Sequence, residues 1–307
     1  MQGNENQPRV AVMGAGAVGC YYGGLLARAG APVTLIGRAV HVDAIRGAGL
    51  RFDGLAFQEI IALDASTETD AVADADLVLF CVKSTDTVTA ARAIAPLLKP
   101  GALILALQNG VDNAERLRSV LPDHETASAV VYVGTEMAGP GHVKHHGRGE
   151  LVIDPSARSA ALAQALVAAG VPTEISDNVR GALWLKLVLN CAYNAVSAIA
   201  QMPYGETVAG EGIPQVMDDV IAECLAVASA EGVTIPGDVP LAVRSIVEAM
   251  PAQYSSTAQD LARGKRTEID YLNGLVVRRA HAHGIATPAN RALWALVKLL
   301  EKKRATA

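Results

Sequence analysis

Hydrophobic and polar positions change their rhythm once along this chain. Over the first half, short apolar runs at 9–13, 32–36, 77–82 and 102–107 are separated by longer stretches of helical periodicity. Runs this short, bounded by Gly, Pro or polar residues, predict buried strands. The helical stretches fall at 17–29, with Gly30 placed to cap them, at 85–97 and at Asn113–Val120. Strands alternating with helices at this spacing predict a parallel sheet covered on both faces. From 126 to 153, β-rich segments with Gly-Pro-Gly turns predict an antiparallel extension of that sheet. A helix over 157–169 and a short strand at Thr173–Ile175 follow. After Asp177 the apolar positions repeat only with helical spacing, over 179–201, 213–231, 241–249, Ser256–Ala262, 267–283 and 288–302. The pattern predicts an α/β fold with a doubly wound sheet over residues 1–177, followed by an all-helical domain over 178–307.

A length of 307 residues fits two domains. Half of the residues are hydrophobic but only 4% are aromatic, so Ala, Val, Leu and Ile must build the core. Net charge is −5, and Lys302-Lys303-Arg304 is the sole basic block, which argues against a nucleic-acid partner. Residues 1–9 are polar and carry no apolar export segment. The longest apolar stretch, 181–200, is interrupted by Lys186, Asn190, Asn194 and Ser197, a stripe that a lipid-facing helix does not carry. A cytoplasmic protein with no membrane partner is expected. Cys20, Cys81, Cys191 and Cys224 are scattered and read as reduced core residues. His142, His145 and His146 have metal-ligand spacing only on a helix. Pro140-Gly141 before them and Gly147 after them predict a turn-bounded strand, and no metal is expected.

The first strand runs into Gly14-Ala15-Gly16-Ala17-Val18-Gly19 and then a helix. In such a βαβ unit the first glycine permits the tight turn, the second lets the backbone approach a pyrophosphate, and the third lets helix and strand pack closely. The helix N-terminus supplies N–H donors for the phosphates. This makes the first domain Rossmann-type. The second strand ends Ile36-Gly37-Arg38, where a dinucleotide site selective for an unphosphorylated ribose has an acid; no acid appears before Asp43. Arg38 points to a 2′-phosphate and so to NADP, the alternative being a solvated arginine at a helix start. Ligands in open α/β sheets bind beyond the carboxyl ends of strands, which draws in Lys83 and Gln108-Asn109-Gly110. Either can equally be ordinary loop chemistry. Lys186, Asn190 and Asn194 recur at i, i+4 and i+8 and form one polar ridge on an apolar helix, facing substrate or forming a seam between helices.

Several motifs occur in a fixed order. They are the glycine loop, Gln108-Asn109-Gly110, Trp184-Leu185-Lys186-Leu187 with Asn190 and Asn194, Ser255-Ser256 with Gln259-Asp260, and the run Lys265-Arg266-Thr267-Glu268-Ile269-Asp270-Tyr271-Leu272-Asn273-Gly274. Together with the ending His283-Gly284-Ile285-Ala286-Thr287-Pro288-Ala289-Asn290, this order resembles the ketopantoate reductase family over nearly the whole chain. The resemblance implies NADPH on the first domain, with Lys83 and Asn109 near its nicotinamide end, and a cleft between the domains. It implies Lys186 as proton donor and Glu268 as a carboxylate beside cofactor and substrate. Asn109, Lys186, Asn190, Asn194 and Ser256 would bind a small 2-oxo acid. The implied reaction is NADPH-dependent reduction of 2-dehydropantoate to pantoate, a step toward pantothenate. The chain departs from the family at Tyr204, where Asn is frequent before Gly205-Glu206, at Ala195, where Pro is common, and at Thr257, where Met is familiar. Other readings of the same residues are a reductase of a different 2-oxo acid or lactone, an opine-type dehydrogenase, and a non-catalytic NADP-binding sensor. A homodimer is the expected assembly.

Overall fold

The first apolar run becomes β1 (Val10–Met13), a strand with all four residues buried, and it leads into α1 (Ala17–Arg28) and β2 (Val33–Ile36). A computed structural model describes residues 7–305 and divides the chain into two units, one ending at Val179 and the other beginning at Arg180. Most of the polar N-terminal segment read above lies outside the described residues.

The first unit continues with α2 (Ala39–Ala48), β3 (Leu50–Asp53), β4 (Gln58–Ile61), β5 (Asp64–Ser66), β6 (Leu77–Phe80), α3 (Thr87–Ile94), β7 (Leu103–Ala106) and α4 (Asn113–Val120). It closes with β8 (Thr126–Gly139), β9 (His142–Ile153), α5 (Ser159–Ala168) and β10 (Thr173–Ile175). The ten strands form a mixed sheet ordered β4-β3-β9-β8-β7-β6-β1-β2-β5, with β10 beside β9. From β5 to β8 the pairing is parallel, and the long β8 then turns antiparallel against β9. Side chains alternate across the parallel strands. Val10, Val12, Leu77, Leu79, Leu103 and Leu105 face one core with Tyr22 and Leu25 of α1 and Leu162 and Leu166 of α5. Ala11, Met13, Val78, Phe80, Ile104 and Ala106 face the other with Ala91 and Ile94 of α3 and Leu117 of α4. Both faces are covered, which explains why these strands read as unbroken apolar runs.

Segment 39–66 holds a helix and three strands that the apolar pattern did not announce. The β3–β4 pair lies at the sheet edge, and three of the four β4 residues are exposed, so no hydrophobic run marks it. The three histidines lie on β9, after the Gly141 turn, and each has its own partner. His142 Nε2 lies 2.7 Å from Asp53 Oδ2 of β3, His146 Nε2 lies 3.0 Å from Glu136 Oε1 of β8, and His145 Nε2 lies 2.6 Å from the Arg148 carbonyl. The carboxylates therefore come from neighbouring strands rather than from the segment itself. The His142 hydrogen bond, opposed by desolvation, holds Asp53 below the usual carboxylate range. The described cysteines are unpaired, and burial pushes the Cys20 thiol up to about 12.

The second unit is helical: α6 (Val179–Ala200), α7 (Tyr204–Val208), α8 (Ile213–Ala230), α9 (Val239–Ala249), α10 (Ser256–Ala262), α11 (Asn273–Ala282) and α12 (Pro288–Ala305). Among the described residues it has no strand. Length and composition would let α6 cross a membrane, but in its most apolar 18-residue stretch 67% of the residues are buried inside the protein. Buried amides stitch the helices together. Asn273 Nδ2 donates to the Cys191 carbonyl of α6 at 3.2 Å and to Asn290 Oδ1 of α12 at 3.0 Å, while Asn290 Nδ2 donates to Glu223 Oε2 of α8 at 2.7 Å. The single helix expected over 267–283 is broken. A 3₁₀ turn at Ile269–Tyr271 precedes α11, and Leu272, at φ −112° and ψ −108°, separates them. The cause is anchorage to α12. Thr267 donates through its N–H and its hydroxyl to Glu301 Oε1 at 2.8 and 2.6 Å, and Asp270 receives Trp294 Nε1 at 2.7 Å and Lys298 Nζ at 2.9 Å.

Candidate functional site

In the first unit the candidate site is built on the carboxyl ends of β1, β2, β6 and β7. Gly14 adopts φ +115°, and a Cβ there would lie 2.7 Å from the Val82 nitrogen. Its N–H and that of Ala15 both donate to the Ile36 carbonyl at 2.9 Å, which fixes the turn against β2. A Cβ on Gly19 would run into the Gly14 carbonyl oxygen and lie 2.8 Å from Val12 Cγ1, so only glycine lets α1 cross β1 this closely. Gly16 differs: no atom lies within 4 Å of where its Cβ would be. It is the N-cap of α1, has no side-chain cap, and the first turn of that helix carries no acid. Turn, close approach and open helix end are all present, and they fit the pyrophosphate of a dinucleotide. Ala15, Ala17 and Val18 complete this loop.

Arg38 is exposed and caps α2, whose first turn also lacks an acid. Gly37, unremarked in the sequence, sets its position: a Cβ there would lie 2.6 Å from Ala15 Cβ. Arg38 therefore follows a point of direct contact between the β2 end and the glycine loop. Lys83 follows β6 and precedes a 3₁₀ turn at Ser84–Asp86; it is half-buried, as is Asn109 after β7. Their loops are joined by Ser84, Thr87, Gln108, Asn113 and Arg116, of which only Gln108 stands out in the sequence as part of a strand-end motif. Gln108 Nε2 donates to the Val82 carbonyl and to Thr87 Oγ1, both at 2.8 Å. Ser84 Oγ and Asn113 Nδ2 both donate to the Asn109 carbonyl, at 2.8 and 2.6 Å. Arg116 donates to the Ser84 carbonyl at 2.8 Å.

In the second unit Lys186, Asn190 and Asn194 lie on α6 as the ridge predicts. Lys186 and Asn190 are half-buried, whereas Asn194 is only 3% exposed. Tyr204, at the start of α7, donates its hydroxyl to Asn194 Oδ1 at 3.4 Å and packs its ring 4.8 Å from that of Tyr193. Burial, with Tyr193 beside it, pushes the Tyr204 phenol up, so it stays protonated. Ser255 caps α10 through the Ala258 N–H and donates its own hydroxyl to the Asn194 carbonyl at 3.1 Å. This brings the neighbouring, exposed Ser256 to the Asn194 turn. Glu268 is half-buried and occupies the N-cap of the 3₁₀ turn rather than the first turn of a long helix. Its segment reaches α6 through the Asn273 bond to the Cys191 carbonyl. Ser255, Asp270 and Glu301, which hold these candidates in place, had no distinguishing signal as isolated residues. Among the described residues no group of three His, Cys, Asp or Glu is placed to hold a metal ion.

Comparison with known proteins matches both halves of the chain. The family described as Ketopantoate reductase PanE/ApbA matches residues 10–158, and its C-terminal counterpart matches residues 178–301. A 2-dehydropantoate 2-reductase of Halobacterium salinarum is 38% identical, over 96% of this chain and 99% of its own length. The crystal structure of a PanE/ApbA family ketopantoate reductase from Ralstonia eutropha is similar at a TM-score of 0.95 and 65% identity, over 97% of this chain and 99% of that one. A D-mandelate dehydrogenase solved with NADH and anilino(oxo)acetate is similar at a TM-score of 0.89 and 26% identity, over 97% and 99% of the two chains. The chain belongs to the ketopantoate reductase PanE/ApbA family of nicotinamide-dependent oxidoreductases.

Proposed function

We propose that this protein reduces the ketone of 2-dehydropantoate to the alcohol of pantoate, with NADPH as reductant. One observation carries the reading: the Lys186–Asn190–Asn194 ridge interrupts an otherwise apolar helix in a chain whose two halves both match the family. A protein that merely sensed a dinucleotide would need none of these three residues.

Bound NADPH would supply a hydride to the ketone carbon. As that carbon changes from planar to tetrahedral, its oxygen gains negative charge. Lys186 stabilises this charge and transfers a proton from Nζ to the oxygen, which completes the hydroxyl. Asn190, Asn194 and Ser256 hold the carboxylate and distal oxygen of the substrate, so that its carbonyl is presented in a reactive orientation. The Asn194 carboxamide oxygen accepts from Tyr204, which orients the amide and lets it offer its N–H donors to substrate. Glu268 accepts from a substrate hydroxyl or from the cofactor ribose. On the first unit the glycine loop takes the pyrophosphate, Arg38 pairs with the 2′-phosphate, and Lys83 and Asn109 serve the nicotinamide half. We place the enzyme in the cytoplasm, on the pantothenate route, as a homodimer whose assembly sedimentation would measure.

A second 2-oxo acid merits testing. Tyr204 puts a phenol at the end of the ridge where the family often has an amide, and the similar D-mandelate dehydrogenase takes an aromatic 2-oxo acid analogue. Loss of NADPH absorbance with purified protein should be fastest with 2-dehydropantoate and slower with phenylglyoxylate and with straight-chain 2-oxo acids. Turnover of phenylglyoxylate but not 2-dehydropantoate would replace the proposed substrate.

A further inference from the structure

The loops after β6 and β7 hold a chain of buried polar side chains that the proposed chemistry does not use. Ser84 and Thr87 are fully buried, Asn113 is 3% exposed and Gln108 is 6% exposed. Thr87 is the hub. Its hydroxyl accepts from Gln108 Nε2 at 2.8 Å and donates to Asn113 Oδ1 at 3.0 Å. Asn113 Nδ2 donates onward to Ser84 Oγ at 3.2 Å and to the Asn109 carbonyl at 2.6 Å. Gln108 returns to the other loop through the Val82 carbonyl. The residues on either side of Lys83 are thereby fastened to Gln108, to the Asn109 carbonyl and to Asn113.

Burying four polar side chains costs desolvation that an apolar set of the same size would not incur, and the hydrogen bonds that join them fix their geometry in return, with Gln108 Oε1 the one oxygen of the four left without a partner. The place where rigidity is gained is informative. In the strand order, β1 stands between β2 on one side and β6 and β7 on the other. A dinucleotide laid across the carboxyl ends, with its pyrophosphate at the β1 loop, puts its adenosine half toward β2 and its nicotinamide half toward β6 and β7. The network therefore stiffens only the half of the edge that meets the reactive ring. Backbone–backbone hydrogen bonds and Gly37 packing hold the β2 end instead.

We propose that Thr87 and Asn113 are positioning residues: through them the β6 and β7 loops form one rigid shelf that sets Lys83 and Asn109 for the nicotinamide half of the cofactor. This rests on the cofactor reading given above, and it does not depend on which 2-oxo acid is reduced.

The test compares two ligands on the intact protein, NADPH and 2′-phospho-ADP-ribose, which lacks the nicotinamide. Thr87→Val keeps the shape and removes the hydroxyl; Thr87→Ser restores it. Thr87→Val should raise the Kd for NADPH roughly 3- to 10-fold, the scale of one net hydrogen bond. The Kd for the fragment should stay within about twofold, and Thr87→Ser should bind NADPH as the wild type does. Ser84→Ala, which removes one of two donors onto the Asn109 carbonyl, should weaken NADPH less and the fragment not at all; it serves if Thr87→Val does not fold. Equal weakening of both ligands would reduce the network to a structural role and overturn the proposal, as would unchanged NADPH binding. A wild type that binds the fragment as tightly as NADPH would also overturn it. A wild type that binds neither would instead overturn the cofactor reading.

Discussion

Gly16 and Gly19 belong to one turn-to-helix motif but should fail for different reasons when each is replaced by alanine. Gly16 has φ −92° and ψ −170°, a conformation alanine adopts freely, and its Cβ would meet no atom within 4 Å. Alanine there lowers unfolded-state entropy, worth about 0.4–1 kcal/mol in favour of the variant. It also gives up a preferred N-cap residue, worth about 0.5–1 kcal/mol against it. The two cancel, so Tm should move by no more than about 2 °C. The methyl would nevertheless point into the space through which a pyrophosphate approaches the helix end, and NADPH affinity should fall at least about tenfold, or 1.4 kcal/mol. Gly19→Ala places its methyl against the Gly14 carbonyl oxygen and 2.8 Å from Val12 Cγ1. Backbone cannot swing aside as a side chain can, so an overpacking cost of about 1–3 kcal/mol outweighs the helix-propensity gain of about 1 kcal/mol. Its Tm should drop by about 2–8 °C, alongside the loss of cofactor affinity. Thermal melts without ligand, paired with NADPH titrations, separate the two variants. A Gly16→Ala protein that binds NADPH like the wild type would refute the pyrophosphate assignment and leave that glycine as turn chemistry alone.

Arg38→Ala should cost about 1.5–3 kcal/mol of the preference for NADPH over NADH, read from kcat/KM with each cofactor; unchanged discrimination would remove Arg38 from the site. Lys186→Ala should lower turnover by about 10²–10⁴-fold while NADPH affinity holds, and a folded variant with near-normal kcat would make the lysine structural. Glu268→Gln should depress kcat/KM strongly with little change in melting temperature, whereas a role confined to helix electrostatics would cost about 0.3–1 kcal/mol of stability and leave kinetics intact. Desolvation would raise Asp270, but hydrogen bonds from Lys298 and Trp294 outweigh it and hold its carboxyl below the usual range. Its contribution to stability is thus present above the unfolded carboxylate pKa of about 3.9 and is lost as pH falls through the lower folded value. Asp270→Asn should therefore melt below the wild type at pH 6, and the gap should close as pH drops below about 4; a constant gap would refute the ion pair as its source.

The β1–glycine loop–α1 unit was legible in the sequence because its physics is local. Three glycines at fixed spacing after an apolar run state a turn, an approach and a close crossing without help from the rest of the chain. The β3–β4 hairpin at the sheet edge was not legible, since three of four β4 residues face solvent and β3's other partner, β9, comes from a distant segment. The Ser84–Thr87–Gln108–Asn113 network was invisible for a related reason. Each member reads alone as loop or cap chemistry, and only the pairing of β6 with β7 brings residues some 26 positions apart into contact.

The ridge on α6 shows where a periodicity argument stops. Sequence spacing put Lys186, Asn190 and Asn194 on one face and left open whether that face meets substrate or other helices. The structure gives the two ends different surroundings. Lys186 and Asn190 are half-buried, while Asn194 is buried, with its carboxamide oxygen bound by Tyr204 and its carbonyl by Ser255. One turn further on, Ser197 donates to the Met202 carbonyl and accepts from the Ser255 N–H. The polar stripe thus grades from an accessible end into a seam between helices, with Asn194 at the transition. A residue in that position is held by the fold at both ends, with one lone pair of its carboxamide oxygen engaged by Tyr204 and one of its backbone carbonyl by Ser255.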